Sequence, residues 1–313
     1  MAPHGRTTRR WFLSAAVLLA AVPAAAALLA AALHAVQGSS GVTLLLSADT
    51  EGQVTPCATC SIQTAPGGLA RRASLVADWR TRDPSLLLVD AGNAFIGVDS
   101  VASGGRIIVA AYAALEYDAV NLTYRDFRLG KASALAMIRD ATFPVVSCNL
   151  VDEATGQLVA RPFVVRQAGA GRIAIVGVTE RPGSADLLPH LARELAGIRV
   201  RPPVEALAEW LPRARREAGR VVLLFYGSAS GLAAVRQTFG GDLAAVLVGG
   251  IPAEALPSNG RPPVAGTAEH GRRVAEVRLL PEGGVRVRQI EVAPSLKGDP
   301  KTEGILKSYG KAP

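Results

Sequence analysis

Val42-Thr43-Leu44-Leu45-Leu46-Ser47-Ala48 is a short apolar run. A polar stretch carrying Gly, Pro and two Cys follows from Asp49 to Pro66, and Gly67-Gly68-Leu69-Ala70-Arg71 then opens a helical pattern through Ala73, Leu75, Val76 and Trp79. A brief apolar run bounded by turn signals is the mark of a strand buried on both faces. The order strand, loop, helix predicts a βα unit whose polar loop leaves the carboxyl end of the strand. Working outward, the unit repeats. Ser85 to Val89 reads as a second strand, ending at Asp90-Ala91-Gly92-Asn93; Ile107 to Leu115 reads as a helix, Asp118 to Leu122 as a strand, Lys131 to Arg139 as a helix and Phe143 to Ser147 as a strand. Phe163 to Gln167 and Arg172 to Val178 read as strands joined by a Gly-rich turn, Val204 to Ala218 as an amphipathic helix, Val221 to Phe225 as a strand, Leu232 to Thr238 as a helix, and Leu243 to Val248 as a strand ending in Gly249-Gly250. Strands near Pro263 to Ala265, Arg273 to Leu280 and Val285 to Glu291 follow, and the polar tail from Pro294 reads as loose.

Alternation first and a run of strands later predicts an α/β fold, a layered sandwich with mixed sheets. In such folds the chemistry gathers on loops beyond the carboxyl ends of strands. Asp49, Asn93, Tyr124, Tyr226 and Ile251 all fall at such ends, so they are candidates to converge on one pocket. The chain has 313 residues, is 49% hydrophobic and carries a formal net charge of +8. Its basic residues are scattered, without interleaved aromatics or a dense Lys/Arg block, which argues for a solvated surface and against a nucleic-acid partner.

The N-terminus has its own signature. Thr8-Arg9-Arg10-Trp11-Phe12-Leu13 matches the twin-arginine export pattern, and an uncharged apolar stretch runs from Trp11 to Leu33. An ordinary secretory signal containing Arg-Arg is the alternative. The stretch is long enough to span a bilayer, so residues 1–40 are a cleaved signal or a membrane anchor, residues 41–293 the folded domain and residues 294–313 a polar tail. Either way the body is expected outside the cytoplasm, in the periplasm or on the extracytoplasmic face. Its expected partners are the twin-arginine machinery and, if the segment stays uncleaved, the membrane.

The order of motifs resembles the 5′-nucleotidase and UDP-sugar hydrolase family of calcineurin-like metallophosphoesterases. The resemblance rests on Gly67-Gly68-Leu69-Ala70-Arg71, Asp90-Ala91-Gly92-Asn93, Leu122-Thr123-Tyr124-Arg125-Asp126-Phe127, Ser147-Cys148-Asn149-Leu150, Ile173 to Thr179 and Gly249-Gly250. It implies an α/β/β/α sandwich, a site for two divalent metal ions held by carboxylates and histidines, and phosphoric ester hydrolysis. It also implies a C-terminal substrate domain, for which no length remains after residue 291.

Matched residue by residue, the sequence keeps Asp49 of the implied ligand set. Glu51 stands where a His is implied, Asn93 where the bridging Asp is implied, and Tyr124 and Arg125 replace an Asn-His pair. Tyr226 replaces a later His, and Ile251 and Ala253 replace the final ligands; His190 and His270 lie off the motifs. An amide cannot neutralise two cations as a carboxylate does, and Arg125 brings a permanent positive charge. The expectation is a vestigial metal pocket with at most Asp49 and Glu51 as ligands, and a largely non-hydrolytic protein. A hydrolase with a reduced metal set and a pure binding module are the alternatives. Arg125 among Asp49, Glu51 and Asp126 suggests either a buried salt-bridge network or an anion site.

Cys57-Ala58-Thr59-Cys60 falls in the first loop. Such a pair suits a structural disulfide, a thiol redox site with an unidentified redox partner, or a metal contact. Cys148 follows a strand and is expected to be buried and inert.

Overall fold

The computed structural model describes residues 41–56, 64–169, 171–183, 188–267, 270–281 and 283–310. The export segment and the Cys57–Cys60 pair lie outside the described residues. In chain order the elements begin β1 (Val42–Ser47), α1 (Leu69–Arg82), β2 (Leu87–Asp90), α2 (Arg106–Leu115), β3 (Ala119–Asn121), α3 (Gly130–Asp140) and β4 (Val145–Val146). There follow β5 (Leu150–Asp152), β6 (Phe163–Ala168), β7 (Gly171–Thr179), α4 (Pro189–Glu194), β8 (Ile198–Val200), α5 (Pro203–Glu217) and β9 (Arg220–Tyr226). The chain closes with α6 (Ala229–Phe239), β10 (Ala245–Gly249), β11 (Val264–Gly266), β12 (Arg273–Leu279), β13 (Val285–Glu291) and α7 (Pro300–Ser308). Among the described residues no helix is long and apolar enough to cross a membrane.

Two mixed sheets carry the fold. The first has six strands in the order β13-β12-β1-β2-β3-β4, the second five in the order β11-β10-β9-β7-β6. In the first, β1 to β4 run parallel and β12 and β13 add antiparallel. In the second, only β6 is antiparallel to its neighbour. The continuous apolar runs are explained by burial on both faces of each strand. Leu44 and Leu46 of β1 and Leu87 and Val89 of β2 meet Ile173, Ile175, Val222, Leu224 and Leu247 of the second sheet. The alternate residues Leu45 and Leu88 turn the other way, onto Leu69, Val76, Ile107 and Ile108 of α1 and α2. On the far side Ala174, Val176, Leu223 and Val246 pack against Ala206, Leu207 and Leu211 of α5 and Leu232 and Val235 of α6. Period-two alternation thus builds three apolar layers between four layers of structure, the predicted α/β/β/α sandwich.

Three differences from the sequence reading are instructive. The strand expected from Phe143 to Ser147 shrinks to β4, because Pro144 has no N–H to give and serves only as an acceptor, from Val120 N at 2.9 Å. The short antiparallel pair β5 and β8, and α4, lack the length to show a period. The tail from Pro294 is not loose. Asp299 caps α7, accepting from Thr302 N and Thr302 Oγ1 at 2.8 Å each, and Thr302 and Leu306 are buried in packing against α1 and α2. Of the two buried side chains of α7 only Leu306 is apolar, too little for the tail to read as amphipathic.

Leu306→Ala is therefore expected to lower unfolding stability by about 2–4 kcal/mol in urea titrations. A change within error would mean that the tail contributes nothing to the core.

Candidate functional site

Pairing of β1 with β2 continues past the strand ends. Ala91 N donates to Ser47 O at 2.9 Å, Asp49 N to Gly92 O at 2.9 Å, Glu51 N to Asn93 O at 2.8 Å and Gly52 N to Ala94 O at 2.9 Å. This backbone clasp, not the strands alone, brings Asp49, Glu51 and Asn93 together. All three sit in the left-handed region, at φ of 47°, 51° and 58°. That conformation costs an L-residue on the order of 1 kcal/mol and collects at functional loops. His270, at φ 56°, joins them by donating its N–H to Asp49 O at 2.7 Å. The approach is close enough to require glycine: a Cβ on Gly97 would stand 1.6 Å from the Glu51 carbonyl oxygen.

Within this clasp Asn93 Nδ2 donates to Asp49 Oδ1 at 2.9 Å and to Glu51 Oε1 at 3.0 Å. Gly250 N, at the end of β10, donates to Asp49 Oδ2 at 2.8 Å. His270 Nδ1 lies 3.8 Å from Glu51 Oε2. The sequence reading set His270 aside as off-motif, and only the folded loop before β12 brings it here.

The clasp rests on a buried polar layer. The Arg72 guanidinium is fully buried; its Nη1 donates to Thr50 Oγ1 and Tyr117 OH at 3.2 Å each, and reaches Tyr112 OH at 3.4 Å. Asp90 accepts from Ser47 Oγ at 2.6 Å, Tyr112 OH at 2.8 Å and Gly92 N at 2.8 Å. The Arg72 guanidinium therefore reaches Asp90 through the Tyr112 hydroxyl, and the Tyr112 and Tyr117 rings stack with centroids 4.1 Å apart. Burial pushes the Asp90 carboxyl up to about 6 against the pull of Ser47, Gly92 and Arg72. Asp126 forms a separate lock: it accepts from Thr123 N and Thr123 Oγ1 at 2.8 Å each and from Phe95 N at 3.2 Å, tying the loop after β3 to the loop after β2.

Arg125 is placed differently from expectation. Asp126 turns away from it into its own turn, and among the described residues no carboxylate lies within ion-pair distance of Arg125, so the expected salt-bridge network does not form. Instead the guanidinium lies 5.7 Å from the centre of the Tyr124 ring, beside the Tyr226 hydroxyl. Tyr124 and Tyr226 meet edge to face at 5.9 Å. Burial, then the Asp49 charge, hold the Tyr226 hydroxyl well above its ordinary range, so it stays protonated. These residues line a cavity of about 550 Å³ together with Glu180, Arg181, Ser228 and Ser230. Glu180 was missed by the sequence reading, although it too stands at a strand end, directly after β7. Its Oε2 accepts from Ser228 N at 2.6 Å, at the N-terminus of α6.

Of the candidate residues, Asp49, Glu51 and Asn93 share one cluster and Tyr124, Arg125 and Tyr226 the adjoining cavity. Ile251 joins neither: it is buried in the apolar layer with α5 and α6. Among the described residues no group of three or more His, Cys, Asp or Glu is placed to hold a metal ion. Cys148 is a buried free thiol that burial pushes up to about 12, as inert as expected.

No family model matches the chain. Over 175 residues it is 30% identical to snake venom 5′-nucleotidase of Crotalus adamanteus, a match covering 51% of the chain and 29% of that protein. It is 32% identical over 118 residues to the trifunctional nucleotide phosphoesterase protein YfkN of Bacillus subtilis, covering 34% of the chain and 8% of that protein. The chain thus spans under a third of the length of these curated relatives. Among solved structures, sulfate thiohydrolase SoxB of Thermus thermophilus superposes with a TM-score of 0.72 at 18% identity, over 85% of this chain and 60% of that one. The calcineurin-like phosphoesterase YfkN of Bacillus subtilis superposes at 0.68 and 18% identity, over 87% and 97%. At such identities the likeness shows the fold.

Asn93→Asp would set a third carboxylate against Asp49 and Glu51. Stability should fall by about 1–3 kcal/mol at pH 7.5. Because crowding raises the folded-state pKa values above the unfolded ones, the deficit should close as pH falls toward 4.5 and widen as it rises. Urea unfolding at both pH values measures this, and a deficit independent of pH would show that the amide is not bridging two charges. Gly97→Ala should destabilise by about 2 kcal/mol or more, since backbone must move to admit the methyl group; an unchanged thermal midpoint would show that the loops are not in close contact.

Proposed function

We propose that this distant homologue of the 5′-nucleotidase and calcineurin-like phosphoesterases is a non-hydrolytic domain of that fold, exported, in which hydrogen bonds from the protein stand where the resemblance implies two divalent ions. The observation that carries the reading is the Asn93 amide donating to both Asp49 and Glu51, with Gly250 N–H on the second Asp49 oxygen. A divalent cation binds through carboxylate lone pairs. Here amide hydrogens point at those lone pairs, so a cation and the Asn93 side chain exclude one another.

The surrounding donors support the same conclusion. The Arg125 guanidinium and the protonated Tyr226 hydroxyl occupy positions where the resemblance implies neutral metal-binding side chains, and Ile251 turns into the core. A dinuclear hydrolase clamps the attacking and leaving oxygens between two ions. The described residues offer two acidic side chains and one histidine near that point, which does not suit a pair of divalent ions. The export reading is carried by Arg9-Arg10 and the apolar stretch after it, and the thiol reading by Cys57 and Cys60; both rest on the sequence alone.

Purified protein equilibrated with Mn²⁺ or Zn²⁺ and re-isolated by gel filtration should retain well under one ion per chain by elemental analysis. It should release no phosphate from nucleoside monophosphates above the blank. Two retained ions with turnover would overturn the reading, and a single ion with turnover would replace it with a hydrolase built on Asp49, Glu51 and His270.

A further inference from the structure

We propose that Asn259 is a site of spontaneous, backbone-assisted deamidation, and that Arg236 of α6 promotes the reaction. The proposal does not depend on what holds Asp49 and Glu51.

The first ground is the pair of reacting groups. Asn259 and Gly260 are exposed in the loop between β10 and β11. Among the described residues the Asn259 side-chain amide makes no hydrogen bond, and neither does the Gly260 N–H. Both groups are thus uncommitted, and glycine sets no side chain beside its nitrogen. Gly260 lies at φ 91°, and the absence of a side chain is what lets Arg236 close in: a Cβ there would stand 2.9 Å from Arg236 Nη2.

The second ground is a cation on the reacting peptide group. Arg236 Nη2 donates to Asn259 O at 2.7 Å, and Arg236 Nε donates to Pro262 O at 3.2 Å. Asn259 O and Gly260 N belong to one resonant peptide unit. A guanidinium on the oxygen draws charge from the nitrogen and stabilises its deprotonated form, which is the attacking species. Among the described residues no carboxylate lies within ion-pair distance of Arg236, so no acidic partner cancels this charge.

The chemistry needs only water. Gly260 N gives its proton to solvent base and attacks Asn259 Cγ. The N–Cγ bond forms, the Cγ–Nδ2 bond breaks, and the amide nitrogen takes a proton from water and leaves as ammonia. Water then opens the cyclic imide. Opening at Cγ leaves an aspartate at position 259. Opening at the main-chain carbonyl, the one that Arg236 polarises, leaves an isoaspartyl linkage with the chain running through the former side chain. In sum water is consumed and ammonia released, and nothing is oxidised or reduced. Either product places a new carboxylate in the loop that the Arg236 guanidinium already holds.

The full chain, incubated folded in warm, mildly alkaline buffer and then digested, tests this. Mass spectrometry follows the peptide containing position 259, and enzymatic methylation scores isoaspartate. The wild type should accumulate both products at position 259, with the isoaspartyl form in excess, and Asn259→Gln should abolish them. Arg236→Gln should slow conversion in the folded protein by about threefold or more, and Arg236→Lys, which keeps the charge, should retain most of the rate. In urea-unfolded chains the wild type and Arg236→Gln should react alike, since only the fold brings Arg236 to the loop. Thermal melts confirm that the variants fold. No conversion at position 259 in the folded wild type overturns the proposal, and so does a rate that Arg236→Gln leaves unchanged or raises.

Discussion

The side-chain amide of Asn93 donates to Asp49 Oδ1 and to Glu51 Oε1, and with Gly250 N–H on Asp49 Oδ2 it ties the loop ends of β1, β2 and β10 to one point. Everything near that point is arranged to make the contact unavoidable. The backbone ladder from Ser47 to Gly52 fixes the two loops side by side, and the left-handed residues Asp49, Glu51 and Asn93 turn their side chains toward each other. Thr50, between the two acids, faces the other way and receives Arg72. One loop therefore serves two polar systems, an outer one of carboxylates and an amide and an inner one of guanidinium and hydroxyls.

The two systems meet the same physical problem with different means. A buried charge is tolerable only where hydrogen bonds and an opposite charge surround it. Arg72 meets most of this condition through Thr50, Tyr112 and Tyr117, with Asp90 reached through the Tyr112 hydroxyl and only its Nε left without a partner among the described residues. Buried Asp49 and half-buried Glu51 accept from the Asn93 amide, and Asp49 also from the Gly250 N–H. A neutral amide satisfies lone pairs but adds no positive charge of its own, and the Glu51 charge and the Asp49 charge act through space on the adjoining Arg125 and Tyr226 respectively. That division, carboxylates behind and guanidinium in front, gives the cavity its polarity.

Much of the sandwich was legible in the sequence because strands buried on both faces must be apolar throughout, as at Leu44-Leu45-Leu46 and Leu86-Leu87-Leu88, and because Gly67-Gly68 announces α1. The rule that polar residues at strand ends gather into one pocket joined Asp49 to Asn93 and Tyr124 to Tyr226, but as a cluster and an adjoining cavity, not as one pocket. It failed for Ile251, whose apolar side chain had a core to enter, and it was not applied to Glu180, for which no motif stood out. His270 could not be placed at all, since its position depends on a backbone bond to a residue more than two hundred positions earlier. The partner of Arg125 was misjudged for a related reason: adjacency to Asp126 in the chain says nothing once a capping turn points the two side chains apart.

The most direct test of whether hydrogen bonds or cations hold this cluster is the thermal midpoint of the wild-type protein in EDTA and in millimolar Mn²⁺. A ligand that binds only the folded state raises the midpoint with its concentration. If Asn93 and Gly250 already satisfy Asp49 and Glu51, the two midpoints agree to within about 1 °C. A rise of several degrees in Mn²⁺, scaling with its concentration and lost in EDTA, would contradict the account.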